Sequence, residues 1–316
     1  MRVSVALPIY NEREVLPELL GRLRAVLGTI PGGPHEMVIA DDGSSDGSYE
    51  LLADAAASDP GLVVVRLARN FGHQVALSAA LDHTTGDVVV LMDGDLQDVP
   101  EAIPVFLAKH AEGYDVVYAQ RERRKEHILL RACYYCFYRM LALLSRVDLP
   151  LDAGDFGLLS RRVVEELRRA PERHRYLRGL RAWVGFRQTG VPVERAARTK
   201  GESKYTLRRL INLAFDGMFS FSVVPLRAAA IVGLVAVLAS SAFALYSIAV
   251  RLFLARSPQG FTALVVVITF LSGVHLIFLG LVGEYIGRIY EEVKHRPLYV
   301  VDRVLRRPVP GAGPAA

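Results

Sequence analysis

The chain has 316 residues, 52% hydrophobic and 22% charged, a composition that excludes an intrinsically disordered protein. Its net charge of +5 is unevenly divided: residues 1–115 hold 7 Lys and Arg against 18 Asp and Glu, a balance of −11, and residues 116–316 hold 31 against 15, a balance of +16. An acidic first part suits a metal cation, and a basic second part beside apolar runs suits phosphate groups or an anionic membrane surface.

The opening stretch MRVSVALPIYNERE has an apolar run too short for a secretory signal, and the fold is expected to begin there. Short β-rich runs then alternate with helical ones, as a parallel sheet built from βαβ units requires. The expected strands are Val3–Pro8, Met37–Ala40, Val63–Leu67, Val88–Met92 and Asp115–Ala119. Helices are expected in REVLPELLGRLRAVLG, where Val15, Leu19, Leu20, Leu23, Val26 and Leu27 recur at helical spacing, and from Gly72 in GHQVALSAALDHT.

Ligands of an open parallel sheet bind beyond the carboxyl ends of its strands. The polar loops stand there: PIYNE after the first strand, DDGSSDG after the second, RNFGHQ after the third and DGDLQD after the fourth. Asp93 and Asp95, two apart in extended chain, point the same way, and their repulsion is relieved by a proton or a cation. Such oxygen donors suit Mg2+ or Mn2+, with Gln97 adding an amide oxygen and substrate phosphates taking the remaining positions. A solvated turn is the ordinary reading of a D-x-D standing alone; its place at the end of a buried strand, beside a second acidic loop, favours the cation. Asp98 is expected only to cap the helix starting near Pro100. Asp41 and Asp42 suit hydrogen bonds from a nucleobase or ribose, with Gly43, Ser44 and Ser45 supplying the turn and a helix N-cap. Neither G-x-G-x-x-G after the first strand nor G-x-x-x-x-G-K-[ST] occurs, which argues against dinucleotide and P-loop chemistry and leaves a nucleotide diphosphate held through a metal.

Further on, HILLRACYYCFYRMLALLSR, at about 127–146, sets Arg131, Arg139 and Arg146 on one helical face, the pattern of a helix lying in the bilayer interface. Its Cys133 and Cys136 lack the glycine, proline or further ligands of a redox or zinc site and are read as packing residues in a reducing compartment. A second amphipathic segment covers 205–227, with Pro225 marking a break. Ala228–Val250 and Phe261–Gly283, 23 residues each, are long enough to cross a bilayer, and His275 in the second is read as a packed side chain. They are expected to form a hairpin closed at 251–260. Arg208, Arg209 and Arg227 on one flank and Arg288, Lys294 and Arg296 on the other place both flanks on the cytoplasmic side, against Arg251 and Arg256 in the loop. The tail RPVPGAGPAA is expected to be disordered.

Taken together, PIYNE, DDGSSDG, RNFGHQVALSAALDHTTGD, MDGDLQDVPE, DAGDFGLLSRRVV, RTKGESKY and GEYIGRIYEEVKHRPLYVV, spread over about residues 2–303, resemble the motifs of membrane-bound polyprenyl-phosphate glycosyltransferases, inverting family-2 enzymes. The resemblance is closer to bacterial members that glucosylate undecaprenyl phosphate than to dolichyl-phosphate mannose synthases. It implies an α/β fold: a Rossmann-like GT-A glycosyltransferase domain over 1–204, then amphipathic interface helices, a two-helix transmembrane hairpin at 228–250 and 261–283, and a cytoplasmic C-terminal helix and tail over 284–316. It implies transfer of a sugar to a polyprenyl phosphate with inversion, with Mg2+ or Mn2+, by a homo-oligomer at the cytoplasmic face of the bacterial inner membrane. UDP-glucose is the first donor, and GDP-mannose or a UDP-N-acetylhexosamine the alternatives; nucleic acid is not an expected partner.

Carried over by position, the resemblance implies that Pro8, Tyr10, Glu12 and Asp42 contact the nucleotide, that Asp93, Asp95 and Gln97 hold metal and diphosphate, and that Gly94 belongs with them to the nucleotide-sugar site. Arg121 of AQRERR faces the sugar or lipid phosphate, with Arg131 in the same lipid-phosphate set. Arg198 and Lys204 of RTKGESKY close over diphosphate and acceptor. Asp155 of GDF matches a position often assigned as base, with Asp152 the other candidate. A phosphate monoester, whose second pKa is near about 6, is already largely anionic at neutral pH. Asp155 is therefore expected to orient the sugar or acceptor, with Arg121, Arg198 and Lys204 carrying more of the rate. A processive polysaccharide synthase is disfavoured because YLRGLRAWVGF lacks the glutamine of Q-x-x-R-W and has Ala182 between Arg181 and Trp183. The complete acidic and basic set argues against a non-catalytic lipid-binding scaffold, and two spans offer little polar surface for a flippase.

Overall fold

A computed structural model of the chain describes residues 1–121, 153–170, 172–173, 175–193, 224–254 and 260–307. They fall into two compact units, one from residues 1–193 and 296–307, the other from residues 224–295.

The first unit is an eight-stranded mixed sheet flanked by helices. Its strands are β1 (Val3–Ile9), β2 (Glu36–Asp41), β3 (Leu62–Leu67), β4 (Val88–Leu91), β5 (Val116–Arg121), β6 (Ala153–Ser160), β7 (Gln188–Val193) and β8 (Val301–Arg306), in spatial order β7-β5-β6-β4-β1-β2-β3-β8. β1 lies parallel to β2 and β4, and β2 parallel to β3. β6 is antiparallel to both β4 and β5, and β8 antiparallel to β3. The helices are α1 (Leu16–Thr29), α2 (Ser48–Ser58), α3 (His73–Asp82), α4 (Ile103–Ala111), α5 (Arg161–Arg169) and α6 (Leu177–Trp183).

Alternation along β4 explains the layering. Val88 and Val90 enter one core, with Leu7, Leu16, Leu23, Leu52 and Phe106, whereas Val89 and Leu91 enter the other, with Val65, Leu77, Leu81 and Val163. A strand covered on both faces reads as a continuous apolar run, as VVVL does. Each fully buried Leu or Val contributes roughly 1.5–3 kcal/mol relative to exposure.

The five expected strands are all present, with ends moved by one or two residues. Three others, β6, β7 and β8, escaped the sequence reading. β8 lies in the segment expected to be helix and tail, so the chain returns from the second unit to complete the sheet of the first.

The second unit consists of α7 (Val224–Leu254) and α8 (Phe261–Val293), which contain both expected spans. Pro225 lies at the start of the described part of α7. Among the described residues, Phe270–Val293 is long and apolar enough to cross a membrane, and Ala229–Phe243 is a shorter apolar stretch. The His275 ring bonds back to Leu271 O at 2.8 Å within its own helix. Arg131, Cys133, Cys136, Asp152, Arg198 and Lys204, with the amphipathic segment at 127–146 and residues 205–223, lie outside the described residues.

Candidate active site

The site is built where β1, β2, β3 and β4 end together. Register pairs Pro8 with Ala40 and Ile9 with Asp41, which sets the loops after β1 and β2 side by side. Those loops are knitted by hydrogen bonds: Asn11 N donates to Ser44 Oγ at 3.0 Å, Ser45 N to Asn11 Oδ1 at 2.8 Å, Glu12 N to Ser48 Oγ at 3.1 Å and Arg13 N to Asp46 Oδ2 at 3.0 Å. Tyr10 projects from this rim, 42% exposed, and Pro8 is buried at the end of β1. Ser44 and Ser45 therefore join the loops and do not cap α2, as the sequence reading expected. Asp46 takes that place, its Oδ1 accepting from Ser48 N at 3.0 Å and from Ser48 Oγ at 2.6 Å, with Gly47 at the cap itself at φ 88°.

Asp41 and Asp42 are buried, 0% and 2% exposed. Asp42 accepts from Phe71 N at 2.7 Å and from Gly72 N at 2.9 Å, so its carboxylate fixes the loop that opens α3. Asp41 Oδ1 accepts from Ser44 N at 3.1 Å, while its Oδ2 is buried with no hydrogen-bond partner. Burial pushes both carboxyls above the usual range, and the hydrogen bonds offset only part of it.

After β4, Asp93, Asp95 and Gln97 are half-buried while Gly94, Leu96 and Asp98 are buried. Asp93, Asp95 and Gln97 thus each keep part of their surface accessible on the turn that follows the strand. Gly94 is required by close packing: a Cβ there would lie 2.9 Å from both Pro8 O and Ile9 Cγ2. Asp95 Oδ1 accepts from Gln97 N at 3.1 Å, and Leu96 takes φ 58° to close the turn. Asp98 differs from expectation. Its Oδ2 accepts from Asp93 N at 3.0 Å, closing the acidic loop, and the short 3-10 turn at Pro100–Ala102 has no side-chain cap.

His73 and Gln74 open α3 and reach in two directions. His73 Nε2 lies 3.0 Å from Asp93 Oδ1, and the half-exposed ring, 50% accessible, is paired with it. Burial works against charge on the ring, but the Asp93 hydrogen bond and the nearby Asp93 and Asp155 carboxylates outweigh it and raise its pKa. Gln74 Nε2 donates to Asp155 Oδ2 at 3.0 Å.

Asp155, 8% exposed on β6, is also gripped by Arg178 of α6, with Nε to Oδ1 at 2.7 Å and Nη2 to Oδ2 at 3.0 Å. Burial alone would raise this carboxyl; Arg178, helped by His73 and Arg181, overrides it and brings the pKa down to about 2. Arg181, one turn further on and 3% exposed, donates to Gly154 O at 3.3 Å and stands over the Tyr118 ring at 5.1 Å. Its Nε and Nη2 have no hydrogen-bond partner, and burial lowers its pKa to about 10. Arg121 ends β5, paired in register with Val193.

Loops from β1, β2 and β4 thus bring Pro8, Tyr10, Glu12, Asp42, Asp93, Gly94, Asp95 and Gln97 to one end of the sheet. The sequence reading missed His73, Gln74, Arg178 and Arg181 as site residues. The sequence sets His73 and Gln74 at the same rim in the polar RNFGHQ loop without a role of their own, and the only signal for Arg178 and Arg181 is two arginines three apart in LRGLRAW. Among the described residues, no three His, Cys, Asp or Glu side chains converge as a ready cation cage. A donor set of two carboxylates and one amide fits a hard divalent cation that takes its other ligands from a diphosphate.

Residues 4–168 match the sequence profile described as Glycosyl transferase family 2. The chain is 40% identical over 307 residues to a Bacillus subtilis protein named as uncharacterized glycosyltransferase YkcC, with 96% of this chain and 94% of that one covered. It is 38% identical over 304 residues to the SfII prophage-derived bactoprenol glucosyl transferase of Shigella flexneri, with coverage of 96% and 98%. It is also 38% identical over 316 residues to the undecaprenyl-phosphate 4-deoxy-4-formamido-L-arabinose transferase of Klebsiella pneumoniae, with coverage of 97% and 94%. Sheet order, loop chemistry and near-complete coverage agree: the chain belongs to glycosyl transferase family 2, with the GT-A-like α/β fold.

Proposed function

We propose that the protein transfers a sugar from a nucleotide sugar to a polyprenyl phosphate with inversion, giving a β-linked polyprenyl phosphate sugar and a nucleoside diphosphate. The observation that carries this reading is similarity over nearly the whole length of relatives named for bactoprenol and undecaprenyl-phosphate transfer, through the long apolar helices as well as the catalytic unit. UDP-glucose is the donor proposed first.

Pro8, Tyr10, Glu12 and the Asp41–Asp42 loop are assigned to the nucleotide. Asp93, Asp95 and Gln97 would hold Mg2+ or Mn2+, which when bound would offset charge on the diphosphate leaving group. The acceptor phosphate oxygen bonds the anomeric carbon as the bond to the diphosphate breaks, and the electron pair leaves with the diphosphate. Arg121, Arg131, Arg198 and Lys204 are assigned to the acceptor phosphate and diphosphate, where guanidinium and ammonium groups stabilise the developing charge. A phosphate monoester is largely ionised at neutral pH, so no strong base is needed. Asp155, held by Arg178 and Gln74, then serves to orient and not to take a proton.

α7 and α8 are assigned as a transmembrane hairpin in the bacterial inner membrane, with the catalytic unit on the cytoplasmic side and the protein assembling as a homo-oligomer. The exposed apolar side chains of Phe243, Phe253, Phe270 and Leu276 support a lipid surrounding.

The test offers purified full-length protein UDP-glucose, UDP-N-acetylglucosamine and GDP-mannose in turn, with undecaprenyl phosphate, with and without EDTA. Lipid-linked product from UDP-glucose that disappears with EDTA is expected. No product from any donor would overturn the reaction, and EDTA-insensitive transfer would overturn the metal role.

A further inference from the structure

Three hydrogen bonds reach the two oxygens of Asp155, two from Arg178 and one from Gln74. Gln74 is itself fixed, because its Oε1 accepts the backbone N–H of Leu177 at 3.2 Å, and Leu177 opens the helix that carries Arg178. Reversing that amide would set its oxygen against a carboxylate and its NH2 against an N–H donor, so both neighbours specify one orientation. The result is a closed triangle between α3, β6 and α6.

We propose that Arg178 and Gln74 are positioning residues for the transfer, holding the Asp155 carboxylate in one orientation as a fixed hydrogen-bond acceptor for the sugar or the acceptor phosphate's surroundings. This rests on the proposed function, in which Asp155 meets the substrates. The geometry is that of a planar guanidinium fork on a buried carboxylate, the pairing that gives most directional control. A carboxylate so engaged is a poor proton acceptor, since protonation must break the fork.

The groups facing Asp155 are Arg178 and Arg181 from α6 and His73 from α3. With Arg178 removed, burial, the largest influence on this carboxyl, is opposed by the Gln74 hydrogen bond and the weaker His73 and Arg181 contributions, and the pKa rises. A pH profile therefore reads the device in a way that a merely structural role would not.

The experiment measures kcat and KM for full-length wild type, Arg178→Gln, Arg178→Lys and Gln74→Leu in nanodiscs from pH 5 to 9, with UDP-glucose and undecaprenyl phosphate. Arg178→Gln is expected to lose roughly 100-fold in kcat, as for a misplaced substrate-orienting group, with donor KM little changed. Its acid limb should also set in at higher pH than the one that ionisation of the acceptor phosphate gives the wild type. Arg178→Lys should remove that shift by keeping a positive charge but recover only part of kcat, since an ammonium cannot form the two-pronged fork, and Gln74→Leu should lower kcat less. A wild-type kcat with a wild-type pH profile in Arg178→Gln would overturn the proposal, as would equal losses in Arg178→Gln and Arg178→Lys with no change of pH profile.

A second measurement separates this from failure of the proposed function. Melting temperatures at pH 4 and pH 7 are compared for wild type, Arg178→Gln, Asp155→Asn and the double variant. If Arg178→Gln destabilises more at pH 7 and Asp155→Asn abolishes that difference, the coupling stands even where wild type transfers no sugar to this acceptor. Additive effects would overturn it.

Discussion

Asp155 holds a charge at a place where burial alone would remove it. Its pKa, about 2 in the folded chain, lies below an unfolded value of about 3.9, so its contribution to stability is full above the unfolded value and is lost as pH falls through about 2. The size is on the order of 2 kcal/mol. Asp155→Asn is expected to lower the melting temperature near neutral pH and to flatten the loss of stability between pH 5 and 2 relative to wild type, as thermal unfolding in detergent would show. Gly94 makes a second residue-scale demand. An added methyl would meet Pro8 O and Ile9 Cγ2, and a backbone oxygen at the end of a central strand has little room to yield. Gly94→Ala should cost roughly 1–3 kcal/mol and weaken UDP-sugar binding by displacing Asp93 and Asp95; unchanged unfolding and unchanged titration calorimetry would contradict this. The place of the D-x-D at the end of a buried strand was legible because an apolar run giving way to polar turn residues is a local property. The partners of Asp155 were not, since Gln74 stands 81 residues away and Arg178 23 residues away.

Among the elements, α3 shows how a buried charge sets a helix in place. Asp42 accepts the amides of Phe71 and Gly72, and two residues on, His73 and Gln74 reach the acidic loop and Asp155. Asp42→Ala should leave two amides without their acceptor, at a cost of about 1–3 kcal/mol, and raise hydrogen exchange at Phe71 and Gly72 before the rest of the sheet responds. Protection unchanged at those amides would show that Asp42 acts on the nucleotide alone. The strands that the sequence reading found are those with short runs rich in apolar and β-branched residues. β6 escaped because GDFG breaks the run, yet Gly157 is needed where a Cβ would lie 2.5 Å from Val117 O on the neighbouring strand. β7 escaped because Pro192 argues against a central strand; it is an edge strand, where a missing N–H is tolerated.

At the scale of the whole molecule, the chain closes its own sheet only after making both long helices. β8 pairs antiparallel with β3, Tyr299 Oη donates to Asp82 Oδ2 at 2.8 Å, and Arg306 and Arg307 bond to His83 O at 2.9 Å and Ala57 O at 3.1 Å. A chain cut at residue 204 loses β8 and bares Val63–Leu67 as an unpaired edge, a template for pairing between chains. Such a fragment should elute as aggregate in size exclusion, and restoring residues 296–307 through a flexible linker should return it to a single species. A monodisperse fragment without β8 would show that the returning strand is dispensable.

The sequence by itself determined the alternation of strands and helices in the first part, the four polar loops at one end of the sheet, the acidic turn after the fourth strand, and the two long apolar helices. Each depends on neighbours within a few residues, through side-chain period, turn chemistry or run length. Only the tertiary structure decided that Asp42 spends its oxygens on a loop, that Asp98 closes the acidic turn, that Arg178 and Gln74 grip Asp155, and that residues 301–306 finish the sheet. Those pairings join segments far apart in the chain, and the partner of a charge or a strand edge is chosen by what folding brings beside it.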